Sequence, residues 1–464
     1  MAPSLAPPGS LARDPVVDRS LRHSLWDGVC FSAMIGSAES YFAAFGVFLK
    51  ASTAQIGLLA SLPPMLGACA QLVSAWLGRR VGRRRAIILG GALLQATALV
   101  PLALLPLAFP ALALPLLIGC AVLYFAGPNL GSPQWGSLMG DLVPESRRGR
   151  FFALRTRFSS LASFTALIVA GLLLAGADRL GATATGFLLI FGLAAVARLA
   201  SAWHLAHMHD PPGHVAALEM PWHADFWRAM RGSGLLRFSL FFASMQFAVA
   251  LASPFFALYM LRDLEWGYVA YMFNTAASFC VQFLTLARWG RLSDLFGNRL
   301  ILVTTGAIIP VLPLLWILSA DYFWLLAVQA VSGLSWAGFT LSATNAVYDL
   351  TPRERRATLM AVHNVLAAVG VFLGAVIGGW LGTALPETLT LGTMSWAWGS
   401  PLFGVFLVSA LARLAVGVAF LPTLREHRRV RPMTRSGLIF RVTRIQPLSG
   451  LVFEIVGRRR PPRS

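Results

Sequence analysis

Gly290-Arg291-Leu292-Ser293-Asp294-Leu295-Phe296-Gly297-Asn298-Arg299 stands between two apolar runs, Val269 to Trp289 and Leu300 to Leu318. The chain reads Ala75-Trp76-Leu77-Gly78-Arg79-Arg80-Val81-Gly82-Arg83-Arg84-Arg85 at an offset of 215 residues, between the runs Ile56 to Leu77 and Ile87 to Ala108. Both stretches are very short loops. Their glycines permit the turn and a close helix approach, a carboxylate there can meet a helix N-terminus, and the arginines can hold the loop at lipid phosphates. The offset recurs. Leu21-Arg22-His23-Ser24-Leu25-Trp26 matches Leu236-Arg237-Phe238-Ser239-Leu240-Phe241, and Ala197-Arg198-Leu199-Ala200 matches Ala412-Arg413-Leu414-Ala415. Asp141-Leu142-Val143-Pro144-Glu145-Ser146-Arg147-Arg148 is answered by Asp349-Leu350-Thr351-Pro352-Arg353-Glu354-Arg355-Arg356. Matches in register at corresponding places argue for two homologous halves.

The solvent of these halves is lipid. Of 464 residues 57% are hydrophobic and 12% charged, against roughly 25% charged in a soluble domain. A span needs about 20 apolar residues, and the runs that meet this are Trp26 to Leu49, Ile56 to Leu77, Ile87 to Ala108, Leu114 to Met139, Leu154 to Ala175 and Ala182 to Ala206. The polar stretch His207 to Gly234 follows. Six more runs are Leu235 to Leu261, Val269 to Trp289, Leu300 to Leu318, Phe323 to Val347, Leu359 to Gly382 and Trp398 to Leu421. Helices satisfy their own backbone in lipid, so the expectation is an all-α polytopic membrane protein of twelve transmembrane helices. Its parts are a segment 1–24, a six-helix bundle 25–206, a central loop 207–234, a second bundle 235–421 and a basic tail 422–464.

The net charge of +19 fits this topology better than nucleic acid, for which no independent soluble domain is available. Lys50, Arg179 and Arg262 fall in loops of one side and Arg198 and Arg413 within spans, while the other 33 of the 38 basic residues lie on or face the opposite side. That side is cytoplasmic by the positive-inside rule, so both termini and the central loop are expected inside, as in a multi-pass protein of a bacterial-type inner membrane. Lys50 is the sole lysine. It fits neither a phosphate-binding loop nor a phosphorylated-aspartate pump, which argues against ATP-driven transport; separately, no Ser-His-Asp or paired-carboxylate arrangement can be singled out, so no enzyme is expected. Cys30, Cys69, Cys120 and Cys280 lack metal-ligand spacing and read as small core hydrophobes, so no metal and no cofactor is expected.

The Gly-x-x-x-Asp-x-x-Gly-x-Arg pattern of Gly290, Asp294, Gly297 and Arg299 resembles the loop signature of the major facilitator superfamily. The resemblance implies that superfamily's fold of two pseudo-symmetric six-helix bundles around a central cavity open alternately to each side. The first-half loop departs from the pattern: Arg79 stands where the superfamily usually has its acid, and Ala75 replaces the first glycine. Around it Arg80, Gly82 and Arg83 complete a gating-loop candidate, in which Asp141 could pair with Arg80 or Arg83, as Asp349 could with Arg299. The alternative is that these charges only fix topology.

Glu39 lies just past the middle of the first span. A mid-membrane carboxylate costs about 2.5 to 3.5 kcal/mol on insertion scales. Desolvation disfavours its charged form, which makes Glu39 a candidate proton carrier, a structural hydrogen bond or ion pair being the alternative. Asp27, nearer the inner end, reads as an anchor or gate charge. Gly127-Pro128-Asn129-Leu130-Gly131-Ser132-Pro133-Gln134-Trp135 in span four should break backbone bonds and expose polar groups, as broken helices at transporter sites do. Ser32, Asn129, Gln134, Trp135, Gln246, Asn274, Gln329 and Trp336 are the substrate-cavity candidates, each with an interhelical hydrogen bond or an interface anchor as the plainer reading. Arg198 and Arg413 read as packing or snorkelling residues. Gly370, Gly374, Gly378 and Gly382 form a close-packing face.

These readings converge on a secondary active transporter of a small solute whose cavity does not suit an organic anion: the spans that the resemblance puts nearest the cavity axis carry no Lys or Arg apart from Arg237 near an inner end. A neutral or cationic solute, coupled to protons through Glu39, is therefore expected. Arg155, Arg157, Arg198 or Arg413 reaching the cavity would undo that inference. The rival is a transporter-like sensor or scaffold that binds a ligand without moving it. The tail, with eleven arginines between Pro422 and Ser464, is expected to lie on anionic lipid headgroups.

Overall fold

The computed structural model describes residues 14–108, 112–143, 148–211, 231–232, 234–351, 356–385, 388–391, 394–397, 400–426, 437–438 and 442. Span one is Pro15–Ser37, a 3-10 turn at Glu39–Tyr41 and a short helix Phe42–Phe48. Thr53–Val81, Arg84–Ala108, Ala113–Leu142, Arg148–Arg179 and Thr183–Ala206 are spans two to six. In the second half, span seven runs from Leu235–Ala250 through Phe255–Leu258 to a π-helical turn at Tyr259–Asp263. Tyr268–Phe296 is span eight, Asn298–Ile308 with Val311–Leu318 span nine, and Tyr322–Leu350, Arg356–Ala384 and Leu402–Phe420 spans ten to twelve. Eleven of these paths, by length and composition, are apolar enough to cross a membrane; the broken first path is the twelfth. A small hairpin between spans eleven and twelve departs from helix, pairing Thr388–Leu391 with Met394–Ala397 and setting Thr388 opposite Ala397.

Helices outrun the apolar stretches at the arginine-rich end, because helix outside the hydrocarbon needs caps rather than apolarity. The first begins at Pro15, where the Asp14 side chain accepts from Val16 N at 2.9 Å, satisfying an orphan donor of the first turn. At the other end span two opens on a capping box between Ser52 and Gln55, and Asp321 caps span ten through Trp324 N at 2.8 Å. The expected break in span four is absent: Ala113–Leu142 stays one helix with Pro128 and Pro133 inside it. Each proline removes only one backbone bond, and its neighbours hold the helix on both sides. Span one breaks instead, without proline. Ser37 Oγ donates back to the carbonyls of Ala33 and Met34 (2.9 and 3.2 Å), and Tyr41 Oη donates to Leu167 O in span five at 2.7 Å. The Ser37 bonds compete with the helical ladder of span one, and the Tyr41 bond holds the broken stretch to span five.

Packing divides the molecule. At the arginine-poor end one buried apolar cluster passes through both halves, joining Tyr41, Phe45 and Phe187 to Phe255, Tyr259 and Phe406. Toward the arginine-rich end the clusters are separate, one around Leu138, Met139 and Phe151 and another around Leu235, Phe241 and Phe339. The halves are therefore joined at the arginine-poor end, where a Cβ on Gly57 would come within 2.5 Å of Ala375 O. Gly370, Gly374 and Gly378 lie against the carbonyls of Ala243, Phe247 and Leu251 in span seven, with no room for a side chain. Cys120 is buried, but Cys69 is exposed; it is not a core residue, since an apolar thiol on a helix surface is compatible with lipid.

Candidate functional site

Each of the two short loops turns on a glycine of positive φ, Gly82 with ψ of 2° and Gly297 with ψ of 164°. Gly82 and Gly297 take φ of 65° and 85°, the left-handed region that glycine enters without steric cost. Arg85 N donates to Asp210 Oδ2 at 3.1 Å, and Arg299 N donates to Glu426 Oε2 at 2.9 Å. Helix three starts two residues after Gly82 and helix nine one residue after Gly297, so Arg85 is the counterpart of Arg299. The residue before differs between the halves. Arg84, 2% exposed, bridges Asp141 at 2.5 Å and Asp210 at 3.2 Å; Asn298 donates to Asp349 Oδ2 at 3.2 Å.

Several expected roles change accordingly. Asp141 pairs with Arg84 rather than with Arg80, which lies over the Trp76 ring at 4.3 Å, or with Arg83, which is exposed. Arg299 Nε donates to Leu424 O at 2.7 Å, while Asn298 is the residue that donates to Asp349. Gly290 is not a close approach, as a Cβ there would meet only Leu341 at 3.9 Å. Asp294 is exposed in the last turn of span eight. Arg79 is in the helical end of span two, and its side chain lies outside the described residues.

Glu39 stands at the break in span one, where its Oε2 accepts from Tyr124 Oη of span four at 3.2 Å. The same break meets the second half: Tyr271 Oη of span eight donates to Ser40 O at 3.2 Å. A carboxyl thus sits beside a joint between halves, the setting in which a change of its charge would be felt by both.

A cavity of about 340 Å³ opens within the first half. Asp27 and Phe31 of span one, Asn129 and Trp135 of span four, Arg155 of span five and Arg198 of span six are among its walls. Asp27, 4% exposed, is held from two sides. Arg155 Nη2 reaches its Oδ2 at 3.0 Å; Ser201 Oγ donates to its Oδ1 at 2.7 Å and in turn accepts from Arg198 Nη1 at 2.6 Å. Arg155 also lies over the Trp135 ring at 4.6 Å, and Arg198 over Phe31 at 4.8 Å. Gly28 makes the first contact possible, because a Cβ there would come 2.9 Å from the Arg155 guanidinium.

The sequence pattern of the Major Facilitator Superfamily matches residues 28–257 and again 238–461. The chain belongs to the Major Facilitator Superfamily. Among curated relatives it is 30% identical over 162 residues to the MFS-type transporter ppz2 of Metarhizium majus (strain ARSEF 297), a match over 33% of this chain and 25% of that protein. The chain thus spans about a quarter of that relative's length. Its fold resembles the crystal structure of a bacterial homologue of the iron transporter ferroportin in an inward-facing state (TM-score 0.65, 14% identity, 87% of this chain and 98% of that one). It also resembles that of a D-xylose-proton symporter (TM-score 0.64, 14% identity, 86% and 96%). A fold of two six-helix bundles is what the structural likenesses support.

For this superfamily member the structure sorts the remaining candidates. Asn129 and Trp135 line the first-half cavity. Gln134 does not; it is fully buried and turns its Nε2 to Ser74 O of span two at 3.4 Å. Ser32 is half-buried on span one. In the second half Asn274 is wholly buried with neither end of its amide bonded, Gln246 Oε1 is likewise unpaired, Gln329 is half-buried, and Trp336 packs edge-on to Phe339 at 5.6 Å. Among the described residues, the cavity walls come from the first half. Sequence reasoning missed Tyr124 and Ser201 and gave Asp27 and Arg198 lesser roles; Asp27 beside Gly28 and the repeated Arg198/Arg413 register were the available signals. With Arg155 and Arg198 in a cavity wall, the premise for a neutral or cationic solute no longer holds.

Proposed function

We propose that this chain is a secondary active transporter that moves a small solute across a bacterial-type inner membrane by alternating access, with Glu39 carrying a coupled proton. The observation that carries this reading is the position of Glu39 in the broken stretch of span one, bonded to Tyr124 and one residue from the Ser40 carbonyl that the second half holds. Loading and unloading a proton there changes the charge next to the contact that must open. Of the solute, Glu39 alone would suit a neutral or cationic species. Arg155 and Arg198 against Asp27 leave one positive charge in excess and favour a solute bearing one negative group. Both termini face the cytoplasm in this reading, and the basic tail rests on anionic lipid.

Proteoliposomes loaded with candidate solutes under an imposed pH gradient test the reading. Saturable, gradient-driven flux is expected. Ligand binding with no flux of any bound solute would mark a sensor instead.

A further inference from the structure

The charges around the first-half cavity do not cancel, and its donors are not used up. Arg155 and Arg198 face a single carboxylate, Asp27. Arg198 Nε is buried with no partner, and so is the indole N–H of Trp135; both residues line the cavity. Arg413, at the matching position of the second half, behaves otherwise. Its Nε donates to Ser409 Oγ at 3.1 Å, its Nη1 to Ile309 O at 3.2 Å and its Nη2 to Val249 O at 3.3 Å. That guanidinium is consumed by the fold: Pro313 has no N–H for the Ile309 carbonyl, and Arg413 supplies one. Arg198 at the same register leaves its Nε without a partner, in a residue that lines the cavity.

Buried donors in a low-dielectric wall are retained at a cost unless something accepts from them. An N–H of a guanidinium and an indole N–H that share one cavity suit the two oxygens of a carboxylate, for which charge-assisted bonds are strongest. One excess positive charge suits one negative charge. Phe31, Ile88, Pro128 and Leu205 supply apolar surface beside these donors, with Asn129 and Ser132 the uncharged polar residues among them, so the rest of the ligand is mainly apolar, and about 340 Å³ limits it to a small molecule.

We propose that the cavity between spans one, three, four, five and six binds a small monocarboxylic acid with an aliphatic or aromatic body, its carboxylate accepting from Arg198 Nε and Trp135 Nε1. This rests on the transporter reading only in making the bound acid the cargo; the site itself stands or falls on binding. A dianion overcharges the pocket, and an amide of the same shape presents an N–H₂ group to donors.

The purified protein is titrated with phenylacetate and butyrate, with phenylacetamide and butyramide as neutral matches and phenylmalonate as a dianion, following thermal stabilisation and tryptophan fluorescence. At least one acid is expected to bind, at least tenfold tighter than its amide. Trp135→Phe, which keeps the ring over Arg155 and removes one donor, is expected to weaken the acid roughly tenfold and leave the amide unaffected. Arg198→Lys keeps the charge beside Asp27 and removes the second donor, and is expected to do the same. Binding of neither acid, equal binding of acid and amide, preference for the dianion, or unchanged acid affinity in the folded Trp135→Phe protein overturns the site. Flux of some other solute that the acids do not inhibit overturns the acid as cargo while leaving the transporter reading intact. Acid binding without flux has the opposite consequence: the site stands and that reading fails.

Discussion

Tyr271 of span eight donates its hydroxyl to the Ser40 carbonyl of span one at 3.2 Å, and its ring meets that of Tyr41 at 6.3 Å between centroids. One hydroxyl therefore ties the second half to the point where the first helix of the first half breaks.

Removing that hydroxyl should loosen the joint. We predict that Tyr271→Phe weakens the contact by about 1 kcal/mol and shifts the population toward opening at the arginine-poor end roughly fivefold. Spin labels at the exposed Lys50 and Glu265 positions report this as a larger long-distance fraction; an unchanged distribution would sink the role given to Tyr271.

Glu39→Gln keeps the acceptor for Tyr124 but cannot carry a proton. Accumulation against a gradient should be abolished while downhill exchange continues. Accumulation at the wild-type level would take Glu39 out of the coupling.

Gly36 faces the Ser163 carbonyl of span five so closely that a Cβ would overlap it, whereas a Cβ on Gly90 of span three meets nothing within 4 Å. Gly36→Ala is predicted to cost about 1 to 3 kcal/mol, lowering the melting temperature of the purified protein, and Gly90→Ala to leave it nearly unchanged. Equal melting of the two variants would contradict the packing described.

Arg84 holds two carboxylates from a buried position, and its counterpart Asn298 is neutral. Arg84→Ala should destabilise the protein by about 3 kcal/mol, and Asn298→Ala by about 1 kcal/mol. A denaturation series that reverses this order would refute the asymmetry.

A reporter fused at Ser464 should read cytoplasmic, because arginine gathers on that side. A periplasmic reading would invert the topology.

The fold was legible because apolar length and loop charge are local, additive properties: runs such as Ile87 to Ala108 announce a span whatever surrounds them. The duplicated loops carried the two-half architecture for the same reason. The site was less legible. Pro128 and Pro133 promised a break that the helix tolerates, while Gly36-Ser37-Ala38-Glu39-Ser40, a run of small and polar residues without proline, is where span one breaks. Arg84 and Arg83 are indistinguishable in the string, and only the start of helix three decides which side chain turns inward. Arg198 and Arg413 share a register and part company over Pro313 and a cavity, which are tertiary facts.

The bonds that join Asp27, Arg155, Ser201 and Arg198 begin and end inside one bundle. A rigid rocking of the two bundles leaves every one of them intact, so whatever occupies that pocket would ride with the first half as a passenger, and the second half would act as the door.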